Sequence, residues 1–242
     1  MYVKMQKVMN LKASKIQILR CGDSTNILSQ EIPDSSIDII FTDPPYGLGY
    51  GIYDDAEVFY GLEEELYRIL KPNSWLIFYW STKKLYEPFI RLKKFRYIWQ
   101  IICSFPTTYS KSIIGDRKYM PILVFAKGDP KIIYRRFDII PALELPCVIE
   151  KIGNALFKPT STTSQLLQIF TKEKDLILDP FMGYGSIPFC CHLWKRNYIG
   201  IEIDETCFKF AEKFIKTGTI TYIGKRDIIY NNKQTELFKD DK

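Results

Sequence analysis

The sequence is poor in groups that hold metals. It has one histidine, His192, and none of its six cysteines (Cys21, Cys103, Cys147, Cys190, Cys191 and Cys207) forms a C-x-x-C pair, so no metal site is expected. Long apolar runs are missing as well. No stretch approaches the ~20 residues needed to span a bilayer. Lys4, Lys7, Lys12 and Lys15 interrupt the apolar residues near the N-terminus, so neither a membrane association nor a signal-like segment is expected. The cysteines then read as reduced, buried thiols of a cytoplasmic protein. A phosphate-binding G-K-S/T is absent, and the one glycine-rich turn that follows a strand lacks the third glycine of a dinucleotide site. Repeats and low-complexity tracts are lacking too.

What is present suits one α/β domain with an insertion: 242 residues of near-average apolar and charged content. A net charge of +6 permits a polyanionic partner without demanding one. Short apolar runs alternate with amphipathic stretches, which points to a mostly parallel sheet with helices on both faces. Strands are expected at Ile16–Leu19, Ile37–Phe41, Trp75–Trp80, Tyr97–Ile102, Ile122–Phe125, Leu176–Leu178 and Tyr198–Ile203. Val58, Phe59, Leu62, Leu66, Ile69 and Leu70 recur at helical spacing, and Lys71-Pro72-Asn73 should end that helix. A second helix is expected over Lys83–Lys94, disturbed by Pro88. A third should start at Thr160-Ser161-Thr162-Thr163-Ser164, a run rich in capping residues.

Two motifs carry chemistry. Thr42-Asp43-Pro44-Pro45-Tyr46-Gly47 follows a buried strand, at the carboxyl end where open α/β sheets place ligands. Two prolines fix the backbone and remove two N–H donors. The Asp43 carboxylate and the Pro44 carbonyl are thereby left as acceptors beside the Tyr46 ring. Such a set matches an amino group on a planar heterocycle, which donates two hydrogens and stacks. The bland alternative is a rigid loop that only ends a strand. The second motif, Asp179-Pro180-Phe181-Met182-Gly183-Tyr184-Gly185, also follows a strand and opens a helix. Glu202 ends the next strand, 19 residues after Gly183, a spacing suited to holding ribose hydroxyls. A nucleoside cofactor without phosphates fits this better than NAD or ATP.

Three segments together resemble a known family. They are Cys21-Gly22-Asp23 through Asp43-Pro44-Pro45-Tyr46, then Lys158-Pro159, then Leu178-Asp179-Pro180-Phe181-x-Gly183-x-Gly185 through Gly200-Ile201-Glu202. In order and spacing they are similar to the β group of DNA amino-methyltransferases, whose catalytic motif precedes the cofactor motif. The resemblance implies a Rossmann-like S-adenosylmethionine-dependent methyltransferase fold with permuted motif order. Residues 1–103 would form its catalytic half and 158–242 its cofactor-binding half. Residues 104–157 would be a basic insertion for target recognition. Asp43, Pro44, Pro45 and Tyr46 would be catalytic. Asp23, Asp43, Lys158, Asp179, Pro180, Phe181, Gly183, Gly185, Ser186, Glu202 and Ile203 would line the cofactor site. Within that set Asp23 would hold the adenine amino group, Glu202 the ribose, and Lys158 would lie near the methionine moiety.

The implied activity is site-specific methylation of adenine N6 in DNA, with the target base flipped out of the helix. Aspartate at the first position of the tetrapeptide is similar to the adenine-modifying members. Cytosine-N4 methylation is the nearest alternative, and a non-catalytic DNA-binding module on the same fold is a second. Methyltransferases acting on RNA or on protein glutamine place Asn before the prolines and run the cofactor motif first, which this chain does not. Two departures touch the methionine end: Tyr184-Gly185-Ser186-Ile187 stands where the family often has Ser-Gly-Thr-Thr, and Asn154 where it often has His. Between Ser104 and Arg136 lie seven Lys/Arg against Asp116 and Asp129, interleaved with Tyr109, Tyr119 and Tyr134. Of these, Lys111, Arg117, Lys118, Arg135 and Arg136 are the candidate DNA contacts; a solvated surface is the alternative. The resemblance allows a homodimer and leaves open whether a restriction endonuclease accompanies the chain.

Overall fold

The computed structural model describes residues 9, 15–49, 51–106, 110–143, 157–220 and 228–229. The expected architecture is observed. In chain order the elements are β1 (Gln17–Cys21), α1 (Ser24–Glu31), β2 (Ile37–Thr42), α2 (Ala56–Gly61), α3 (Glu63–Ile69), β3 (Leu70–Tyr79), α4 (Glu87–Arg91) and β4 (Arg96–Ser104). A short hairpin, β5 (Ser110–Ser112) and β6 (Gly115–Arg117), leads into β7 (Tyr119–Lys127) and β8 (Ile139–Pro141). The second half is α5 (Thr160–Phe170), β9 (Leu176–Asp179), α6 (Ser186–Leu193), β10 (Asn197–Glu202) and α7 (Glu205–Thr217).

Eight strands form one sheet in the order β1-β10-β9-β2-β3-β7-β4-β8. Its pairs are parallel except β3–β7 and β4–β7. Alternate residues of the central strands feed opposite cores, as the period of two requires, except across the register shift between Ile37 and Ile39 in β2. Ile39, Phe41, Trp75, Ile77 and Tyr79 pack with Leu166, Phe170, Ile187 and Phe214 of α5, α6 and α7. Ile37, Ile40, Leu76 and Phe78 pack with Leu28, Phe59 and Leu66 of α1, α2 and α3. Each such side chain contributes ~1.5–3 kcal/mol relative to exposure, and their loss of water is what fixes the strand register.

Two sequence expectations are corrected. The periodic run from Val58 to Leu70 is two helices. Gly61, a poor helix former, ends the first, and the second ends at Ile69. The helix is over before Lys71-Pro72-Asn73, as expected, and these residues already lie inside β3, with Asn73 at φ 56°. No single helix covers Lys83–Lys94. A 3-10 turn at Thr82–Lys84 is followed by α4, where Pro88 sits in the first turn, the place a missing N–H costs nothing. A helix starts at Thr160 as expected; the hydroxyl run forms the buried first turns of α5, and Pro159 rather than one of the hydroxyl residues is its N-cap. Within the stretch 104–157, β7 lies between β3 and β4 in the central sheet.

Candidate active site

β2 and β9 are adjacent and parallel, with Ile39 opposite Ile177 and Ile40 opposite Leu178. From β2 the chain crosses to β3 on one side; from β9 it crosses to β10 on the other. The gap between them is therefore a topological switch point, where loops diverge and leave a crevice at the carboxyl ends. Both sequence motifs open there. The Thr42 hydroxyl donates to Asp179 Oδ1 at 2.7 Å and ties the two loops together.

On the β2 side, the Asp43 carboxylate has a partner on each oxygen. The Tyr46 hydroxyl donates to Oδ1, and Lys158 Nζ lies 2.8 Å from Oδ2. Lys158 is buried, 8% exposed, with its ammonium 5.5 Å from the Tyr46 ring centre and 5.7 Å from that of Tyr79. The Tyr79 hydroxyl shares a 2.9 Å hydrogen bond with Thr163 Oγ1, which also donates to the Pro159 carbonyl at 2.8 Å. The first turn of α5 thus holds the lysine over the aspartate. The Tyr46 ring packs edge-on against Trp80 with centroids 5.4 Å apart. Burial, and then the adjacent Asp43 charge, push the Tyr46 hydroxyl well above its ordinary pKa, so it stays a donor.

The loop itself is held by a residue the sequence reading missed. Asp54 accepts the backbone N–H groups of Tyr46 (2.8 Å), Gly47 (2.9 Å) and Leu48 (2.8 Å). Gly47 has φ +66°, which a larger residue would resist. The only signal in the sequence is an acid shortly after a glycine-rich turn, a pattern too common to act on.

On the β9 side, Asp179 is buried, 2% exposed, and burial pushes its carboxyl up to about 8. Its Oδ1 also accepts the Phe181 N–H at 3.2 Å. Glu202 accepts the Gly183 N–H on Oε2 and the Asp204 N–H on Oε1, both at 2.8 Å. Burial raises its pKa above the ordinary carboxylate value, which the two N–H donors partly offset. Gly183 is left-handed, φ +52°, and a Cβ built there would meet nothing within 4 Å. Gly185 differs: a Cβ there would lie 2.9 Å from that of Ala211, so this glycine lets α6 pack close to α7. Ser186 is buried at the start of α6, and Ile203 is 45% exposed next to Glu202. The Phe181 ring stands edge-on to Phe59 at 6.3 Å, and the Ser24 hydroxyl donates to the Pro180 carbonyl. Asp23, at the end of β1, caps α1 by accepting the Thr25 N–H at 2.8 Å. β1 pairs with β10, Cys21 opposite Glu202, so Asp23 stands on the same edge as the other motif residues.

The candidate DNA contacts separate. Arg117 and Lys118 precede β7, whose start pairs with the end of β4 at the crevice edge; the Arg117 guanidinium donates to Thr82 Oγ1. Lys111 stands on β5, in register with Asp116. Arg135 and Arg136 are exposed on the segment after β7, where the N–H groups of Ile133 and Tyr134 reach the Ile169 carbonyl at the far end of α5. Tyr109, Cys147 and Asn154 lie outside the described residues. Among the described residues no group of three His, Cys, Asp or Glu is placed to hold a metal, and no helix is long and apolar enough to cross a membrane.

This geometry agrees with known proteins. A family model described as DNA methylase matches residues 155–213, and one described as an RMKL-like methyltransferase domain matches residues 5–111. The Type II methyltransferase M.HpaI of Haemophilus parainfluenzae is 28% identical, over 81% of this chain and 73% of that protein. In these matches the chain is similar to the DNA amino-methyltransferases of the β group. Among solved structures, the M1.HpyAVI–SAM complex superimposes with a TM-score of 0.66 at 22% identity, over 81% of this chain and 97% of that one. The cytosine-N4-specific PvuII DNA methyltransferase does so with a TM-score of 0.64 at 15% identity, over 84% and 92%. Both share the fold. The M1.HpyAVI structure was solved as its complex with S-adenosylmethionine. The β9 side of this chain fits that molecule: open space lies over Gly183, and Glu202 and Asp23 are acceptors for the hydroxyl and amino donors of a nucleoside.

Proposed function

We propose that this protein methylates the N6 amino group of adenine in DNA, and that the base enters the crevice between β2 and β9. One observation carries the proposal: Asp43 and the glycine turn open at a single switch point and are joined by the Thr42–Asp179 hydrogen bond. Bound S-adenosylmethionine supplies an electrophilic methyl group. In this reading Glu202 accepts from the ribose, Asp23 from the cofactor adenine, and Phe181, Pro180, Gly183, Ser186 and Ile203 form the walls.

Asp43 and the Pro44 carbonyl accept the two hydrogens of the target amino group. Its lone pair is delocalised into the ring, which makes it a poor nucleophile. Pulling on both hydrogens favours a tetrahedral nitrogen with its lone pair freed for attack. As the nitrogen took the methyl, the C–S bond would break and leave the cofactor as a neutral thioether; the nitrogen would gain positive charge, which the fixed Asp43 carboxylate faces, and would then lose one of its two protons to solvent. Each Asp43 oxygen has a second lone pair, so Lys158 and Tyr46 keep their grip and hold the carboxylate in one orientation. Orientation supplies much of the remaining acceleration, because the methyl donor is already activated. Extruding the base from the duplex is offset by stacking on Tyr46.

Cytosine N4 presents the same pair of hydrogens, and the PvuII enzyme has the same fold. Aspartate rather than serine at position 43 favours adenine. The deciding experiment is incubation of DNA with methyl-labelled cofactor followed by nucleoside analysis. Label in N6-methyl-2′-deoxyadenosine is expected; label in N4-methyl-2′-deoxycytidine moves the assignment to the alternative, and no label in any nucleoside removes the reading.

A further inference from the structure

Two of the most exposed apolar side chains of the described residues stand side by side. Ile113 is 101% exposed and Ile114 is 94% exposed. They form the two-residue turn between β5 and β6. β-branched residues are poor turn formers, and tight hairpins prefer Asn, Asp or Gly. Here the turn is held by other means. Ser112 Oγ accepts the Ile114 N–H at 3.3 Å and donates to the Gly115 carbonyl at 2.9 Å, while Gly115 takes a φ of +127°. A local rule is broken to present two branched aliphatic groups to solvent, as happens at functional positions.

The place of the hairpin says what those groups meet. β4 runs parallel to β2 and β3 and ends at the crevice edge; β7 starts there and runs back. The hairpin joins them, so it projects from the edge that holds Asp43. The pairing of Ser104 with Tyr119 is extended by the Phe105 N–H, which donates to the Lys118 carbonyl at 2.7 Å. Beyond Lys118 the four residues to Ile114 reach at most ~13 Å. Arg117 ties the stem to Thr82, two residues after Trp80, and Trp80 packs against Tyr46. Stem and catalytic loop therefore form one connected unit. Arg117 and Lys118 stand at the base of the stem and make it positive.

We propose that Ile113 and Ile114 are a wedge that enters the base stack of duplex DNA and fills the gap left by the base drawn into the crevice. The inference rests on the DNA reading above and adds the part of the enzyme that opens the duplex. An apolar wedge suits that task, because it replaces lost stacking with apolar contact and gives the extruded base no polar partner to return to.

The test uses the full chain. The wild-type enzyme first methylates a plasmid, and the modified site is mapped by sequencing. Oligonucleotides carrying that site are then made as a matched duplex and as a duplex with an abasic position opposite the target. Ile113→Ser with Ile114→Ser should slow methylation of the matched duplex by about 10- to 100-fold, the scale of base unstacking. On the abasic duplex, where the target is already unpaired, the variant should come within about threefold of wild type. Full activity on the matched duplex, or equal loss on both, overturns the wedge while the DNA reading stands. A loss of rate that follows conversion of a dimer to monomer in sedimentation assigns the tip to a second copy of the chain and also overturns it. Wild-type enzyme that modifies neither plasmid nor oligonucleotide removes the DNA reading, and the wedge with it.

Discussion

At the β2 corner of the crevice both oxygens of Asp43 are taken by side chains, Tyr46 from its own loop and Lys158 from the other half of the chain. At the β9 corner both oxygens of Glu202 are taken by backbone N–H groups, those of Gly183 and Asp204. The first corner is a pair of charges with little freedom to move. The second is a backbone cradle with open space above Gly183. The difference matches two tasks. A group that must face charge as it develops is fixed in advance by strong, oriented partners. A group that binds a neutral diol needs only acceptors on a loop that a ligand can fill.

Substitutions should separate the corners. On the proposed function, Asp43→Ala removes the acceptor that transfer uses and leaves the cradle intact. Turnover should fall by ~10²–10³, with cofactor affinity by titration calorimetry unchanged. Equal loss of both would mean that the two corners are one binding site, and near-normal turnover would remove Asp43 from the chemistry.

Lys158→Met comes next. Family resemblance puts this lysine near the methionine moiety, whereas the structure places its ammonium on Asp43. Loss of a charge-assisted hydrogen bond of ~1.5–3 kcal/mol should lower kcat by about 10- to 100-fold. If the lysine serves Asp43, the KM for S-adenosylmethionine stays near wild type; a rise in that KM with kcat preserved returns the residue to the cofactor. Glu202→Gln should be milder. The amide oxygen still accepts one N–H and its NH2 group faces the other, so cofactor affinity should fall by about tenfold. At saturating cofactor, kcat should stay within about twofold of wild type. A large drop in kcat would mean that the cradle also aligns the reacting groups.

Most of the framework was legible in the sequence for a simple reason. β2 and β9 are buried on both faces, so they read as continuous apolar runs, and each ends in Asp-Pro. The local motifs and their spacing then placed the two corners on one sheet edge. What could not be read depends on contacts between distant residues. Nothing in the pattern around Tyr119–Lys127 says that this strand inserts between β3 and β4. The three N–H groups gathered by Asp54, and the Lys158–Asp43 pair, exist only once the backbone has turned back on itself. The helix break after Gly61 is a small local energy difference that the strong periodicity around it hides.

The same contrast divides the basic residues and yields the smallest expected effect. Composition groups Arg117 and Lys118 with Arg135 and Arg136, but the fold puts the first pair at the crevice edge and the second beyond the far end of α5. Each phosphate contact contributes ~0.9 to the slope of log affinity against log salt. Arg117→Ala with Lys118→Ala should therefore flatten that slope by roughly 2. Arg135→Ala with Arg136→Ala should flatten it by less than half as much, because a duplex seated with its base in the crevice meets the near pair first. Equal changes would mean that the duplex runs across both faces and that the basic stretch acts as one surface. A larger change from the distant pair would move the duplex off the crevice edge and weaken the case for the Ile113–Ile114 wedge as well.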